Sequence, residues 1–271
     1  MLFRSISHEA ISLAGHLKLN KLIVLFDDNH ITIDGSTDLS VSDDQLQRFA
    51  ASGWNTLAVD GHDPEAIAAV IEAARKSDKP TLIACRTTIA YGAPTKAGTA
   101  ASHGSPLGAS EITGTRQRLG WTPGPFEVPD AILERWRAIG KKGAPARGSW
   151  QRRLSSLPAE QKAEFRRRMD GKLPKHWLGA ATAYKIKLAE DKPNIATRVA
   201  SQNALEVLTT VIPELAGGSA DLTGSNNTKA KAQTPVKPGA FAGRYIYYGV
   251  REHGMAAAMN GMALHRGLIP Y

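Results

Sequence analysis

The first ninety residues alternate between two hydrophobic periods. Apolar side chains at Ile11, Ala14 and Leu17 recur at helical spacing after Ser7, which predicts a helix that Ser7 caps. Three short apolar runs follow at residues 22–26, 56–59 and 81–85, and none alternates with polar side chains. Such runs are typical of strands buried on both faces of a parallel sheet. The pattern therefore predicts an α/β fold with a doubly wound sheet.

Helices are predicted between these strands. Ser42 or Asp43 can open one helix ahead of the second apolar run. In the turn after that run, Asp63 is placed at an N-cap and Pro64 at the first helical position, and helical spacing continues to Ala74. Strand and helix signals thus alternate as an α/β fold requires.

The middle of the chain changes character. Residues 91–108 are rich in Gly, Ala, Pro, Ser and Thr and have no period, and a loop of that length in a compact domain is usually functional. Residues 123–192 combine Pro, Arg and Lys with helical stretches and show no strand signal. They predict a mostly helical connector.

A second α/β segment opens near Ile195. Its pattern predicts a helix, a small-residue loop at 217–221, a strand at 245–248 and a helix over 252–264. Another strand begins at Leu268, and the sequence stops within it. A sheet interrupted there would leave backbone groups uncovered, so we expect the chain to be a piece of a longer protein.

Composition narrows the class of protein. The 271 residues are 42% hydrophobic and 22% charged, which is typical of a soluble globular chain. The single cysteine, Cys85, excludes an intrachain disulfide framework and favours a reducing compartment. No run approaches the roughly 20 apolar residues of a membrane span, and the N-terminal residues lack the apolar core of a signal peptide. We therefore expect a cytoplasmic protein without a membrane partner.

The formal net charge of +9 raises the question of nucleic-acid binding. Basic residues concentrate over 141–187, but Glu160 and Glu164 are interleaved with them and no aromatic ladder accompanies them. A solvated connector is the favoured interpretation, and a nucleic-acid patch is the alternative. A positive field would also attract an anionic small molecule.

Several short motifs could carry chemistry. Asn29 follows two aspartates just past the first apolar run, where it could bind a hard cation such as magnesium or simply form a turn. His103 stands beside a glycine in the long loop and could approach an anion or relay a proton.

Two further motifs lie in the second α/β segment. The loop of residues 217–226 has glycines and hydroxyls suited to phosphate oxygens but no P-loop ending, and Arg198 could clamp a phosphate. Glu252 lies where a strand meets a helix, and it could cap that helix or share a proton with a basic ring nitrogen.

The order of these motifs along the chain is more specific than any one of them. The blocks are Ile-Ser-His-Glu-Ala at 6–10, Asp-Asp-Asn at 27–29, Ile-Asp-Gly at 33–35, Asp-Gly-His-Asp at 60–63, Ser-His-Gly at 102–104, Gly-Ser-Ala-Asp-Leu at 218–222 and Val-Arg-Glu-His at 250–253. Together they resemble the transketolase family from Ile6 to Tyr271. The related 1-deoxyxylulose-5-phosphate synthases fit these blocks less well.

The resemblance implies a fold and its division. It implies a parallel-sheet thiamine diphosphate-binding fold, as an internal fragment of an enzyme about two and a half times longer. Residues 1–140 would be the C-terminal part of the diphosphate-binding domain and residues 141–194 a mostly helical linker. Residues 195–271 would begin the pyrimidine-binding domain, a second α/β domain.

The resemblance also implies an activity. Transketolases transfer a two-carbon ketol unit from a ketose phosphate to an aldose phosphate, with thiamine diphosphate and Mg²⁺ or another divalent cation. Asn29 and the carbonyl of Ile31 would bind the metal, Ile33 would pack near the cofactor, and His103 would lie between the diphosphate and the sugar hydroxyls.

The remaining implied roles concern substrate and proton transfer. Arg198 and Ser225 would bind the substrate phosphate, with His103 contributing to the same subsite. Glu252 would hold the proton on the aminopyrimidine ring. The cofactor would lie between two subunits, so the resemblance implies a homodimer for the full-length protein.

The sequence departs from the family at two places. The family's Gly-Asp-Gly block, which donates the metal carboxylate, corresponds here to residues 1–5, which contain no carboxylate; Asp27 or Asp28 is a possible substitute. Ala100 and Ala101 stand where relatives often carry His-Asp. We therefore expect the isolated chain to be inactive or nearly so, and the alternative is a non-catalytic α/β remnant that binds phosphates or dimerises.

Overall fold

The computed structural model describes residues 7–271, which fall into two compact units. One unit is Ala14–Gly148, and the other combines residues 7–13 with Ser149–Tyr271. Each contains a three-stranded parallel sheet, whose central strand is Thr81–Arg86 in the first unit and Leu215–Ser219 in the second. This confirms the predicted α/β fold class.

The unit of residues 14–148 alternates strands and helices as the hydrophobic pattern predicts. Its elements, with the helix that leads into it, are α1 (Ser7–His16), β1 (Ile23–Asp28), β2 (Ile31–Thr32), β3 (Gly35–Ser36), α2 (Gln45–Ala51), β4 (Asn55–Asp60), α3 (Pro64–Ala74), β5 (Thr81–Arg86), α4 (Ala109–Arg118) and α5 (Asp130–Lys141). β5 lies between β1 and β4, and Leu25 and Leu57 both pair with Ile83. The carboxyl ends of all three strands therefore share one edge.

The strands are less buried than the apolar runs predict. Only β5, the central strand, is buried along most of its length, with Leu82 and Ile83 fully inaccessible. Among residues 7–271, β1 and β4 each pair with a strand on one side only, and Leu25 in β1 is 54% exposed. The prediction that the run at 22–26 is a strand buried on both faces is therefore wrong, because an apolar run does not show whether its strand is central in the sheet.

The cap predicted for α3 is confirmed. The Asp63 carboxylate accepts hydrogen bonds from the backbone N–H groups of Glu65 and Ala66, at 2.9 and 3.0 Å, and Pro64 is the first helical residue. α2 begins at Gln45 and is capped by Asp44, slightly later than predicted.

The second unit contains most of the predicted helical connector. Its elements, with the helix that leads into it, are α6 (Gly143–Ser156), α7 (Ala159–Met169), α8 (Trp177–Asp191), α9 (Thr197–Val211), β6 (Leu215–Ser219), α10 (Thr223–Asn226), β7 (Tyr245–Tyr247), α11 (Glu252–His265) and β8 (Ile269–Pro270). No helix among residues 7–271 is both long enough and apolar enough to cross a bilayer.

The glycines at 217 and 218 are part of the central strand β6, and the prediction of a loop there is wrong. Two tyrosine rings lie so close to this strand that only glycine fits at these two positions. A Cβ at Gly217 would lie 2.5 Å from the Tyr271 ring, and one at Gly218 would lie 2.3 Å from the Tyr248 ring. The glycines thus allow aromatic side chains to pack directly on the strand.

Candidate functional site

Asn29 begins the turn that follows β1. Its side-chain oxygen accepts a hydrogen bond of 3.0 Å from the backbone N–H of Ile31, which is an Asx turn, and His30 between them has a left-handed φ of 58°. The local turn that the sequence allowed is therefore present. An amide oxygen has a second lone pair, so this contact leaves a site where a hard cation could bind.

The two aspartates ahead of Asn29 have partners of their own. Asp27 accepts a hydrogen bond from the Thr87 hydroxyl. Asp28 lies 3.3 Å from the His30 ring and 3.5 Å from the Arg86 guanidinium. These carboxylates link the ends of β1 and β5, and Asp27 also accepts a hydrogen bond from the Asn29 side-chain nitrogen at 3.5 Å.

This donor set fits Mg²⁺ chemically but is not a complete ligand shell. Within residues 7–271 no three His, Cys, Asp or Glu side chains group as a metal site. Mg²⁺ commonly keeps several waters and uses few protein ligands together with phosphate oxygens. Residues 1–5, the counterpart of the family's metal carboxylate, lie outside the described residues.

Ile33 lies in the turn between β2 and β3. Its side chain is 71% exposed, although it is apolar and branched. The short hairpin formed by pairing Ile31 with Ser36 presents it. An exposed isoleucine beside a polar turn is available to an apolar part of a ligand.

His103 lies in the segment that joins β5 to α4, and its side chain is exposed. Its backbone N–H donates to the carbonyl of Ala100 at 2.9 Å, which closes a 3-10 turn. Its ring has no hydrogen-bond partner within residues 7–271. Since Asn29 follows β1 and this segment follows β5, both begin at the same edge of the sheet.

A second histidine at this edge had no role in the sequence prediction. The Nε2 atom of His62 accepts a 2.9 Å hydrogen bond from the backbone N–H of Thr88, and its ring stacks on Tyr91 at 4.1 Å. Gly61 permits the close approach, because a Cβ there would lie 2.4 Å from the Thr87 methyl. His62 thus fixes the chain where it leaves β5.

Arg198 and Ser225 belong to the second unit, and both are exposed. Arg198 is the second residue of α9 and therefore lies in its first turn. Ser225 is in α10, whose preceding turn is closed by the Ser219 hydroxyl accepting from the N–H of Leu222 at 3.1 Å. Both side chains are open to an anion.

Glu252 is the first residue of α11 and is exposed. Two long-range contacts fix this end of the helix. The Glu9 carboxylate accepts a 2.6 Å hydrogen bond from the backbone N–H of Gly254. The Arg251 guanidinium donates to the Tyr248 carbonyl at 2.6 Å and to the Ser12 hydroxyl at 2.9 Å. The carboxylate of Glu252 thus stands on an anchored helix end.

The predicted site residues fall into two sets. Asn29, Ile31, Ile33 and His103 lie in the unit of residues 14–148, and Arg198, Ser225 and Glu252 lie in the other. Two cavities of about 370 and 450 Å³ between α7 and the α11–β8 segment include none of these seven residues. Sequence reasoning assigned no role to Glu9, Ser12 and His62, whose contacts join segments distant in sequence.

Comparison with known protein families identifies both segments. A family model described as the thiamine diphosphate binding domain of transketolase matches residues 1–174, and one described as the transketolase pyrimidine binding domain matches residues 193–271. The chain thus combines a segment of a thiamine diphosphate binding domain with a segment of a pyrimidine binding domain. It belongs to the transketolase family.

Individual relatives agree. The chain is 55% identical over 271 residues to a transketolase of Cereibacter sphaeroides and 52% identical over 268 residues to one of Sinorhizobium medicae, covering 41% and 38% of their lengths. Transketolase from Leishmania mexicana superposes with a TM-score of 0.88 at 38% identity, over 99% of this chain and 40% of that one. A Pichia stipitis transketolase in complex with sedoheptulose-7-phosphate gives 0.87 at 38% identity, over 98% of this chain and 40% of that one. The chain thus spans about 40% of the length of these relatives.

Proposed function

We propose that this chain contributes part of the active site of a thiamine diphosphate-dependent enzyme that transfers a two-carbon ketol unit from a ketose phosphate to an aldose phosphate. Membership of the transketolase family supports this proposal. When bound, the cofactor supplies the nucleophilic carbon and the electron sink of the reaction. The residues of the chain bind, orient and exchange protons around it.

The unit of residues 14–148 would bind the diphosphate end of the cofactor. Asn29 and the carbonyl of Ile31 would coordinate Mg²⁺ or another divalent cation, and Ile33 would contact the cofactor's apolar part. His103 would reach between the diphosphate and the sugar hydroxyls. The oxygen-rich turn after β1, the 71% exposed Ile33 and the exposed His103 ring support these roles.

The second unit would bind the substrate phosphate and control a proton. Arg198 can form a charge-assisted pair with a phosphate, and the Ser225 hydroxyl can donate to the same group. Glu252 would hold a proton on a ring nitrogen of the aminopyrimidine. The exposed carboxylate at the anchored end of α11 is the observation that carries this proposal most directly.

The proposal is tested at Glu252 in a transketolase-length protein that contains this segment. Ketol transfer from a ketose phosphate should fall at least about 100-fold in Glu252→Gln, in line with loss of general acid–base catalysis. The neighbouring exposed imidazole provides the control, and His253→Gln should retain most of the activity. Unchanged turnover in Glu252→Gln would contradict the proton-transfer role of Glu252.

The phosphate role of Arg198 has its own expected result. In the same longer protein, Arg198→Ala should raise the KM for phosphorylated sugars about tenfold or more, because a charge-assisted pair is lost. It should change the KM for unphosphorylated acceptors little. Equal effects on both classes of sugar would contradict phosphate binding at this position.

The same proposal covers the oligomeric state of the longer protein, its cellular location and the domain boundaries of this chain. We propose a homodimer for the longer protein, a cytoplasmic location, and a division into a diphosphate-binding part at 1–140, a linker at 141–194 and a pyrimidine-binding part at 195–271. The isolated chain is proposed to be inactive or nearly so. Calorimetric titration with thiamine diphosphate and Mg²⁺ tests this, and separates an incomplete enzyme, in which an upstream segment restores binding, from a non-catalytic remnant.

A further inference from the structure

The segment that carries His103 is closed at its base. The Lys96 ammonium donates a 2.9 Å hydrogen bond to the carbonyl of Leu107, which brings the two ends of residues 97–106 together. Inside this lobe the Thr99 hydroxyl donates to the Lys96 carbonyl and the Ser102 hydroxyl donates to the Thr99 carbonyl, both at 2.8 Å. A compact surface segment with its ends in contact is an Ω-loop.

A carboxylate of α4 holds the start of this Ω-loop. Glu111 accepts hydrogen bonds from the Thr95 hydroxyl at 2.6 Å, from the Thr95 N–H at 3.1 Å and from the Lys96 N–H at 3.3 Å. Glu111 is one of two buried charged residues among residues 7–271, at 7% exposure. Three donors for one buried carboxylate are a strong local constraint on the backbone at 95–96.

Two further contacts pack residues 93–94, which precede the Ω-loop, against α4. The Arg118 guanidinium donates to the Ala93 carbonyl at 3.1 Å. Gly114 lies so close to Pro94 that a Cβ would approach the proline ring to 2.3 Å. Among the α4 side chains of the described residues, Glu111 is the one that hydrogen-bonds Thr95 and Lys96, so it links the helix to the segment that presents His103.

We propose that Glu111 is a positioning residue, which acts through Thr95 and Lys96 to hold the 97–106 lobe in the conformation that presents His103. This inference rests on the ligand-binding role proposed for His103. Within the lobe, the Gly98 N–H donates to the Ile89 carbonyl at 2.9 Å, whereas a Cβ at Gly104, beside His103, would meet no atom within 4 Å. Without the carboxylate, the lobe would sample other conformations.

The test measures backbone hydrogen exchange, resolved by segment, in the 271-residue chain. Glu111→Ala should reduce protection in residues 97–106 about tenfold or more, the size expected for losing a charge-assisted hydrogen bond. β5 should keep its protection, and Lys96→Met should loosen the same lobe. Glu111→Gln retains one acceptor oxygen and should restore part of the protection, and Ser110→Ala on the same helix is the matched control.

Two outcomes would overturn the proposal. Unchanged protection of 97–106 in Glu111→Ala would show that the carboxylate does not hold the lobe. Equal loss across the lobe, α4 and β5, with no rescue in Glu111→Gln, would show a general stabilising role and no positioning. Both outcomes are readable without any ligand.

A binding measurement separates this inference from the proposed function. Thiamine diphosphate with Mg²⁺ is titrated calorimetrically into the wild type, His103→Ala, Glu111→Ala and the double variant. If Glu111 acts by positioning His103, Glu111→Ala alone should weaken cofactor binding, but adding it to His103→Ala should weaken binding little further. Additive losses of affinity in the double variant would contradict positioning. If the isolated chain does not bind, the same titration is made in the transketolase-length protein. If that protein does not bind either, the cofactor proposal fails, while the exchange result still decides the role of Glu111.

Discussion

At the scale of single residues, the position of Glu252 depends on contacts that are remote in sequence. A helix leaves its first backbone N–H groups without partners, and at α11 no side chain of the cap residue supplies an acceptor. Glu9 supplies it instead, from 245 positions earlier in the chain. A carboxylate at a helix N-terminus also interacts favourably with the helix dipole.

This contact leads to a prediction about stability. Glu9→Ala leaves the part-buried N–H of Gly254 without its acceptor, so it should lower the free energy of unfolding by about 1–2 kcal/mol. Urea titration followed by circular dichroism measures the change. Glu9→Gln keeps an acceptor and should lose less. Glu72→Ala removes an exposed carboxylate paired with Arg75 and should change stability by less than about 0.5 kcal/mol.

At the scale of elements, the sequence predicted the features that depend on neighbouring residues alone. The alternation of helices and strands, the Asp63–Pro64 helix start and the helical connector all follow from periodicity and capping, and the structure contains them. The exposed Leu25 and the strand at 217–218 were not predictable in this way. Their environment depends on which strand is central and on which rings pack over it.

The candidate site shows the same division. Asn29, His103 and Glu252 could be singled out because each lies in a short recognisable block, and all three are exposed or half-buried at an element end. Glu111 could not, because a glutamate on a helix is ordinarily a solvated residue. Its role depends on the fold of residues 91–108 against α4, which no local period encodes.

The close packing of β6 gives a prediction for this element. Gly218→Ala would place a Cβ 2.3 Å from the Tyr248 ring and 2.9 Å from the Ile246 carbonyl oxygen. Overpacking a central strand should cost about 2 kcal/mol or more, read from urea unfolding. Gly224→Ala in α10 meets no atom within 4 Å and is the control. Equal stability of the two variants would show that β6 and Tyr248 do not pack this closely.

The backbone protection of the 97–106 lobe should depend on pH. The hydrogen bond from the Thr95 hydroxyl, with those from the backbone of Thr95 and Lys96, lowers the pKa of Glu111. A carboxyl whose pKa is lower in the folded state stabilises that state above about pH 4.3, and this stabilisation is lost as the pH falls through the lowered value. Exchange protection in 97–106 should therefore decrease on acidification in the wild type. It should be nearly independent of acid pH in Glu111→Gln.

At the scale of the whole molecule, the basic connector is attached to the second sheet by ion pairs. Arg167 of α7 contacts both oxygens of Glu214, at 2.6 and 2.9 Å, and both oxygens of Glu164 at 2.7 Å. Glu214 precedes β6, and its side chain is only 3% exposed. This arginine of the basic segment 141–187 is therefore paired inside its own unit, which favours a structural role for Arg167 over nucleic-acid binding.

This network predicts a large loss of stability at Arg167, which has no role in the proposed site. Arg167→Ala leaves the nearly inaccessible Glu214 carboxylate without its cation, and breaking a buried pair from one side costs about 3–5 kcal/mol. Arg168→Ala is the control, because Arg168 is 34% exposed and pairs with Glu164 at the surface. Its loss should be about 1 kcal/mol or less. Similar denaturation midpoints for the two variants would contradict the buried pair.

The same ion pairs should affect the pH at which the protein unfolds in acid. Hydrogen bonds from Arg167 and then Arg168 lower the pKa of Glu164 to about 2. Because the unfolded value is about 4.3, this carboxylate stabilises the folded state above that pH and loses its contribution between about pH 4 and 2. Arg167→Ala removes the main cause, so its acid-unfolding midpoint should move to higher pH, measured by tryptophan fluorescence. Arg75→Ala, which breaks an exposed pair with Glu72, should leave that midpoint in place.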